Sequence, residues 1–180
     1  MSSASVLALE PGPRSYESLL RAGNLIPVSC EVVADLETPI TAFLKLRDLP
    51  HAFLLESVEG GERLARYSFL GAAPRLVVTY RDGRVHVGDR VQEGPLLPRL
   101  RELLRPYRPV RDPQLPRFFG GLVGYLGYDL VRDWERLPHR PPDDLGLPTA
   151  ELGLYDTVVL SLIHISEPTR LLSISYAVFC

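Results

Sequence analysis

The chain has 180 residues, 46% of them hydrophobic and 23% charged, with a mean hydropathy of +0.04; this places it among globular folds and excludes collagen-like and low-complexity architectures. A net charge of −2 and a pI near 6.1 leave no basic footprint for tracking nucleic-acid phosphates. Two cysteines, Cys30 and Cys180, admit no disulfide framework, and no apolar run reaches the length of a secretory signal or a spanning helix, so a cytoplasmic protein with neither nucleic-acid nor membrane partners is expected.

Residues 1–13 are expected to be a disordered N-terminus. Ser15 to Ala22 then reads as a short helix, with Ser15 as N-cap and Gly23 after its last apolar position. Leu25 to Val33, rich in β-branched residues, reads as one strand. Thr38 as N-cap and Pro39 at the first helical position start a helix over Ile40 to Arg47, with Phe43, Leu44 and Leu46 turned inward.

From Ala52 the pattern changes to strands: Ala52 to Ser57, Arg66 to Leu70, Leu76 to Tyr80 and Arg84 to Val87, with Asp82-Gly83 as a tight hairpin turn. Leu97, Leu100 and Leu104 fall on one side of a helix over Leu96 to Leu104, opposite Arg99, Arg101 and Glu102. Four prolines make Pro106 to Pro116 an exposed connector. Phe118 to Tyr128 follows as a glycine-rich and aromatic buried strand, Asp129 to Glu135 as a short helix, Pro138 to Pro148 as a loop and Ala150 to Val159 as a last strand. Helices among mainly antiparallel strands define an α+β fold, a mainly antiparallel sheet with flanking helices.

Residues 160–180 change character abruptly, becoming rich in Ser and Ile. Back-translated, Leu160 to Arg170 resembles a transposase-type sequencing adapter and Ile174 to Cys180 its distal part, with Leu171, Leu172 and Ser173 filling the place of a sample index. This tail is expected to be an adapter-derived artefact, foreign to the fold, so that native sequence ends near Val159.

No catalytic constellation emerges. His51, His86 and His139 share no metal-ligand spacing with one another, Cys30 has no neighbouring base, and there is no nucleophile elbow. Gly120, Gly121, Gly124 and Gly127 lack phosphate-loop spacing. They read instead as positions in a strand where another strand or a helix approaches closely, with Phe118, Phe119, Tyr125 and Tyr128 covering the gap. The residues that stand out lie in FLLESVEGGERLARYSFL, Phe53 to Leu70. An apolar strand ends in Leu55, Glu56 and Ser57, turns through Gly60-Gly61 and returns with Arg66, Tyr67 and Ser68. A carboxylate, hydroxyls and a guanidinium at one sheet edge suit a zwitterion such as an amino acid, and an ordinary capped turn with a surface ion pair is the alternative.

At these residues the chain resembles the N-terminal domain of the anthranilate synthase large subunit, component I. Four blocks carry the resemblance in family order: Asn24 to Leu46, Phe53 to Gly71, Gly120 to Pro138 and LGLPTAELGLYDTVVL from Leu145. Ser29-Cys30 and Asp133-Trp134 depart from the family's usual residues. The resemblance implies that residues 14–159 are the regulatory, tryptophan-binding domain, with Ser57, Glu56 and Leu55 in the allosteric pocket and Arg66, Tyr67 and Ser68 in the following block. It also implies conversion of chorismate to anthranilate and pyruvate in tryptophan biosynthesis, with ammonia from a glutamine amidotransferase subunit and L-tryptophan as inhibitor. The chorismate and Mg²⁺ residues of the family belong to a C-terminal domain absent here, so neither a catalytic nor a metal residue is expected in this chain and the chain alone is expected to be inactive. Aminodeoxychorismate synthase component I and a stand-alone tryptophan-binding module are the alternatives.

Overall fold

Side chains alternating with period two build eleven strands in a computed structural model that describes residues 8–34, 36–56, 67–139, 142–162 and 170–179. They form two antiparallel sheets, and the chain divides into two compact units. One unit comprises Met1–Pro74, Tyr107–Gly120 and Tyr155–Cys180; the other comprises Arg75–Pro106 and Gly121–Leu154. The few helices beside antiparallel sheets match the expected α+β class.

In the first unit, β1 (Leu25–Val28), β2 (Glu31–Val33), β3 (Phe53–Glu56), β4 (Tyr67–Gly71), β10 (Thr157–Leu162) and β11 (Arg170–Phe179) form a sheet. Its order is β1-β11-β10-β4-β3, with β2 also paired to β11. The expected single strand over Leu25 to Val33 is thus two. It breaks because Ser29 turns aside to exchange backbone hydrogen bonds with Glu10 at 2.7 and 2.8 Å. Residues 1–7 of the segment expected to be disordered lie outside the described residues; Glu10, by contrast, is paired with Ser29. Of the tail expected to be foreign to the fold, the described residues 160–162 end β10 and 170–179 form β11, and Leu160 and Ser161 are buried.

Helix α1 spans Pro13–Leu19 with Gly12, not Ser15, as N-cap and Pro13 at its first position. Proline suits that place because its missing N–H would have no intrahelical partner there. Gly23 is required by a close approach: a Cβ there would lie 2.2 Å from the Arg108 carbonyl oxygen. The Pro106 to Pro116 connector is therefore partly docked, its Arg108 carbonyl accepting from Asn24 and Leu25 and its Val110 N–H donating to Leu25. Helix α2 (Pro39–Leu46) begins as expected: the Thr38 hydroxyl accepts from the Thr41 N–H at 3.1 Å, and the Thr41 hydroxyl accepts from the Thr38 N–H at 2.8 Å. It packs against β3 and β4 through half-buried Phe43 and Leu46, whereas Leu44, expected inside, points to solvent.

In the second unit, β5 (Leu76–Arg81), β6 (Arg84–Val87), β7 (Arg90–Glu93), β8 (Gly121–Leu126) and β9 (Ala150–Tyr155) take the order β7-β6-β5-β9-β8. Asp82 and Gly83 both have positive φ, 49° and 74°, as the tight hairpin requires. Helix α3 (Leu96–Leu104) buries Leu96 and Leu100 against Val78, Tyr80, Val85, Leu130 and Leu152. Leu103 joins that face and Leu104 leaves it, because the buried stripe starts at Leu96 and follows the helical period from there. The expected last strand is also two: Asp156 separates β9 from β10, and the chain passes from one sheet to the other.

The glycine expectation holds for the backbone. A Cβ on Gly124 would sit 2.0 Å from the Glu151 carbonyl oxygen, and one on Gly127 2.7 Å from that of Thr149. The aromatic cover does not hold for Tyr125 and Tyr128, which are exposed, and the segment Asp129 to Glu135 is a 3-10 turn over Tyr128–Asp133.

Candidate functional site

β3 lies at the edge of its sheet, and two aromatic contacts and a hydroxyl bond fix it and its neighbour. The Phe53 ring meets Tyr155 edge-on at 4.7 Å, and the Tyr155 hydroxyl donates to the His51 carbonyl at 2.5 Å. Phe69 meets Phe118 edge-on at 5.3 Å. Gly71 leaves room for the Phe53 ring, which a Cβ would approach to 2.4 Å.

The register then decides which candidate residues meet. β3 pairs with β4 so that Leu54 faces Leu70, Leu55 faces Phe69 and Glu56 faces Ser68. On the other side of β4, Ser161 of β10 faces Ser68 and Leu160 faces Phe69. Opposed residues share a side of the sheet and successive residues alternate. Glu56, Ser68 and Ser161 therefore form a polar row across three strands, on the side of Leu54 and Leu70. Leu55, Tyr67 and Phe69 occupy the other side.

This divides the expected set. Glu56 and Ser68 come together; Leu55 and Tyr67 are turned away from them; Ser57 and Arg66 lie outside the described residues. Glu56 is exposed at the edge, and Leu55 is 48% exposed. Ser68 and Ser161 are fully buried, and neither Oγ has a hydrogen-bond partner. A desolvated hydroxyl left unpaired costs about 1–3 kcal/mol, so this row holds unused bonding capacity.

Tyr67, on the opposite side, lines a cavity of about 400 Å³ together with Glu10, Ser29, Cys30, Glu31 and Gln114. Neither this cavity nor Ser161 was legible in the sequence: they arise from pairing between segments far apart in the chain, which carry no local motif.

An exposed carboxylate on the edge strand, backed by two buried hydroxyls on the strands behind it, sits in a two-unit α+β protein; among its described residues no three His, Cys, Asp or Glu side chains are grouped to hold a metal ion. No family model matches the chain. It is 44% identical over 142 residues to anthranilate synthase component 1 of Acetivibrio thermocellus, covering 76% of this chain and 29% of that one. It is 47% identical over 146 residues to the component 1 of Thermus thermophilus, covering 77% and 31%. The crystal structure of anthranilate synthase component I from Streptococcus pneumoniae TIGR4 superposes with a TM-score of 0.51 at 26% identity, over 78% of this chain and 30% of that one. The chain is thus related to the component 1 family of anthranilate synthase. It spans about three-tenths of the length of the curated relatives it matches.

Proposed function

We propose that the chain is the N-terminal, tryptophan-sensing part of an anthranilate synthase large subunit. In the whole enzyme, chorismate would be converted to anthranilate and pyruvate with ammonia supplied by a glutamine amidotransferase subunit. The observation that carries this reading is the Glu56–Ser68 pair, built on adjacent strands in a chain related to component 1. Glu56 would accept from the ammonium of the amino acid, and the unpaired Ser68 hydroxyl would gain the partner that burial denies it. Leu54, on the same side of the sheet as Glu56, would offer apolar contact, whereas Leu55 faces the other side; Ser57 and Arg66, next to these strands in sequence, are the residue types that could donate to the carboxylate.

Inhibition would follow from tryptophan binding one arrangement of the whole enzyme more tightly than another, since a ligand shifts an equilibrium only by its difference in affinity. Among the described residues no three His, Cys, Asp or Glu side chains are grouped to hold a metal ion. The described residues therefore do not fit Mg²⁺. On this reading Mg²⁺ and chorismate belong to the part of the component 1 chain beyond the matched length.

The test is a chimera in which residues 14–159 replace the matching segment of the Thermus thermophilus component 1. Anthranilate formation from chorismate and ammonia, inhibited by L-tryptophan, is expected. Glu56→Gln and Ser57→Ala should each raise the tryptophan concentration for half-inhibition by about tenfold, the loss of one charge-assisted hydrogen bond. Unchanged inhibition in both variants refutes the site, and 4-amino-4-deoxychorismate as the product of the full-length protein that carries this chain refutes the enzyme. Calorimetry of L-tryptophan against the 180-residue chain is expected to give only weak binding; micromolar affinity would instead make this a self-sufficient tryptophan-binding module.

A further inference from the structure

We propose that the groove between the end of β8 and the loop from Pro142 to Thr149 docks an extended polypeptide segment of a partner protein, one that carries Lys or Arg beside apolar side chains. The groove has a volume of about 440 Å³ and lies wholly within the second unit. Tyr128, Leu145 and Leu147 line it while being 87%, 74% and 61% exposed. Apolar side chains this bare, gathered on one concave surface, mark an interaction site rather than ordinary surface variation.

The groove is held open by its own bonds. The Tyr125 hydroxyl donates to the Pro148 carbonyl at 3.0 Å, anchoring the far end of the loop. The Asp143 carboxylate accepts from the Gly146 N–H at 2.8 Å, and Gly146 takes a positive φ of 61° to close that turn. The Arg81 guanidinium donates to the Gly146 carbonyl, anchoring the middle. A pre-formed groove spares the ordering cost that a floppy loop would impose on binding.

Charge selects the occupant. Among the described lining residues are four aspartates, Asp82, Asp129, Asp143 and Asp144, against one arginine. Arg81 is that arginine, and its guanidinium is already turned to Gly146. Asp129 is offset by Arg132 at 2.9 Å, whereas Asp143 and Asp144 stand exposed on the loop. An acidic rim over an apolar floor attracts a cationic, partly apolar segment and repels anionic lipid and nucleic acid.

The test uses the 180-residue chain and three dye-labelled peptides of one length: alternating Lys–Leu, alternating Glu–Leu and alternating Lys–Ser. Fluorescence polarisation should show the Lys–Leu peptide binding at least about tenfold more tightly than either control, with affinity falling as salt rises. Asp143→Asn with Asp144→Asn should remove most of that preference. Asparagine keeps the oxygen that accepts from Gly146, so charge alone is lost. Tyr128→Ala should weaken binding similarly without moving the urea midpoint, since that ring is 87% exposed. No binding of the Lys–Leu peptide, or binding indifferent to these variants, overturns the proposal. Equal binding of Glu–Leu overturns the charge argument, and with it the occupant. Self-association that Tyr128→Ala abolishes, seen by light scattering, would assign the groove to a second copy of this chain and likewise overturn it.

Discussion

Asp133 holds two elements of the second unit at once, and removing it should cost about 2–4 kcal/mol. One carboxylate oxygen accepts from the Tyr80 hydroxyl at 2.5 Å and the other from the Leu96 N–H at 3.2 Å. Helix α3 has Pro95 at its N-cap, without any side-chain cap of its own, so Asp133 supplies the missing acceptor and a negative charge at the helix start. In Asp133→Ala, the 4%-exposed Tyr80 keeps a hydroxyl with no partner, costing about 1.5–3 kcal/mol for a hydrogen bond to a charged group, and loss of the helix-end charge adds about 0.3–1 kcal/mol. Tyr80→Phe should cost about 1–2 kcal/mol, and the double variant less than the sum, because both changes break one bond. Urea unfolding followed by fluorescence measures this directly: Trp134 is the sole tryptophan and follows Asp133 in the same unit. An Asp133→Ala midpoint corresponding to less than about 0.5 kcal/mol, or a strictly additive double variant, refutes the clasp.

Burial, then the bond to Asp133, then its negative charge push the Tyr80 phenol well above its ordinary value of 10.0. A raised native value means that this contribution is complete below about pH 10 and is lost as pH climbs from there through the native value. The stability difference between the parent chain and Tyr80→Phe should therefore be constant from neutral pH to about 10 and shrink above it; a difference that grows on that side contradicts the assignment. Gly124→Ala places a methyl group 2.0 Å from the Glu151 oxygen, so β8 should detach from β9 at a cost of about 3 kcal/mol or more, visible as rapid amide exchange confined to Gly121–Leu126. Thr38→Ala removes one half of the box at the start of α2 and should cost about 1 kcal/mol by chemical denaturation, with Thr38→Asn restoring most of it. Ending the chain at Val159 deletes β11, the strand partner of both β1 and β2; protection of the β1 amides should vanish while the Trp134 transition survives, and retained protection would mean that β11 does not hold that sheet.

Local chemistry was legible wherever one residue type suffices for one job. Thr38 followed by Pro39, the leucines of α3 and Asp82-Gly83 each announce their element, because capping, a fixed φ and a positive φ need no distant partner. Strand ends were not legible. Leu25 to Val33 and Ala150 to Val159 are uniformly β-prone, and what divides them is a change of partner at Ser29 and at Asp156. β7 escaped notice because all four of its residues are exposed and carry no apolar alternation. At the candidate site, residue types pointed to a zwitterion, but only the register reveals that Glu56 stands with Ser68 and that Leu55 and Tyr67 stand behind them. Asp133 could not be found from sequence at all: its partners are 53 and 37 residues away.

The passage of one chain through two sheets also governs the order in which a ribosome can finish them. β5, β6 and β7 pair as soon as they emerge, since their hairpins are local. β5 then waits for Leu154 opposite Leu76, β4 for Val159 opposite Leu70, and β1 for Phe179 opposite Leu25. β4 and β5 therefore keep one bare edge, and β1 and β2 have no strand partner at all, through most of translation, when unpaired edges are prone to wrong pairing with other chains. Yield of the folded chain should depend on slow elongation, low temperature and chaperone supply more strongly than its final stability would suggest.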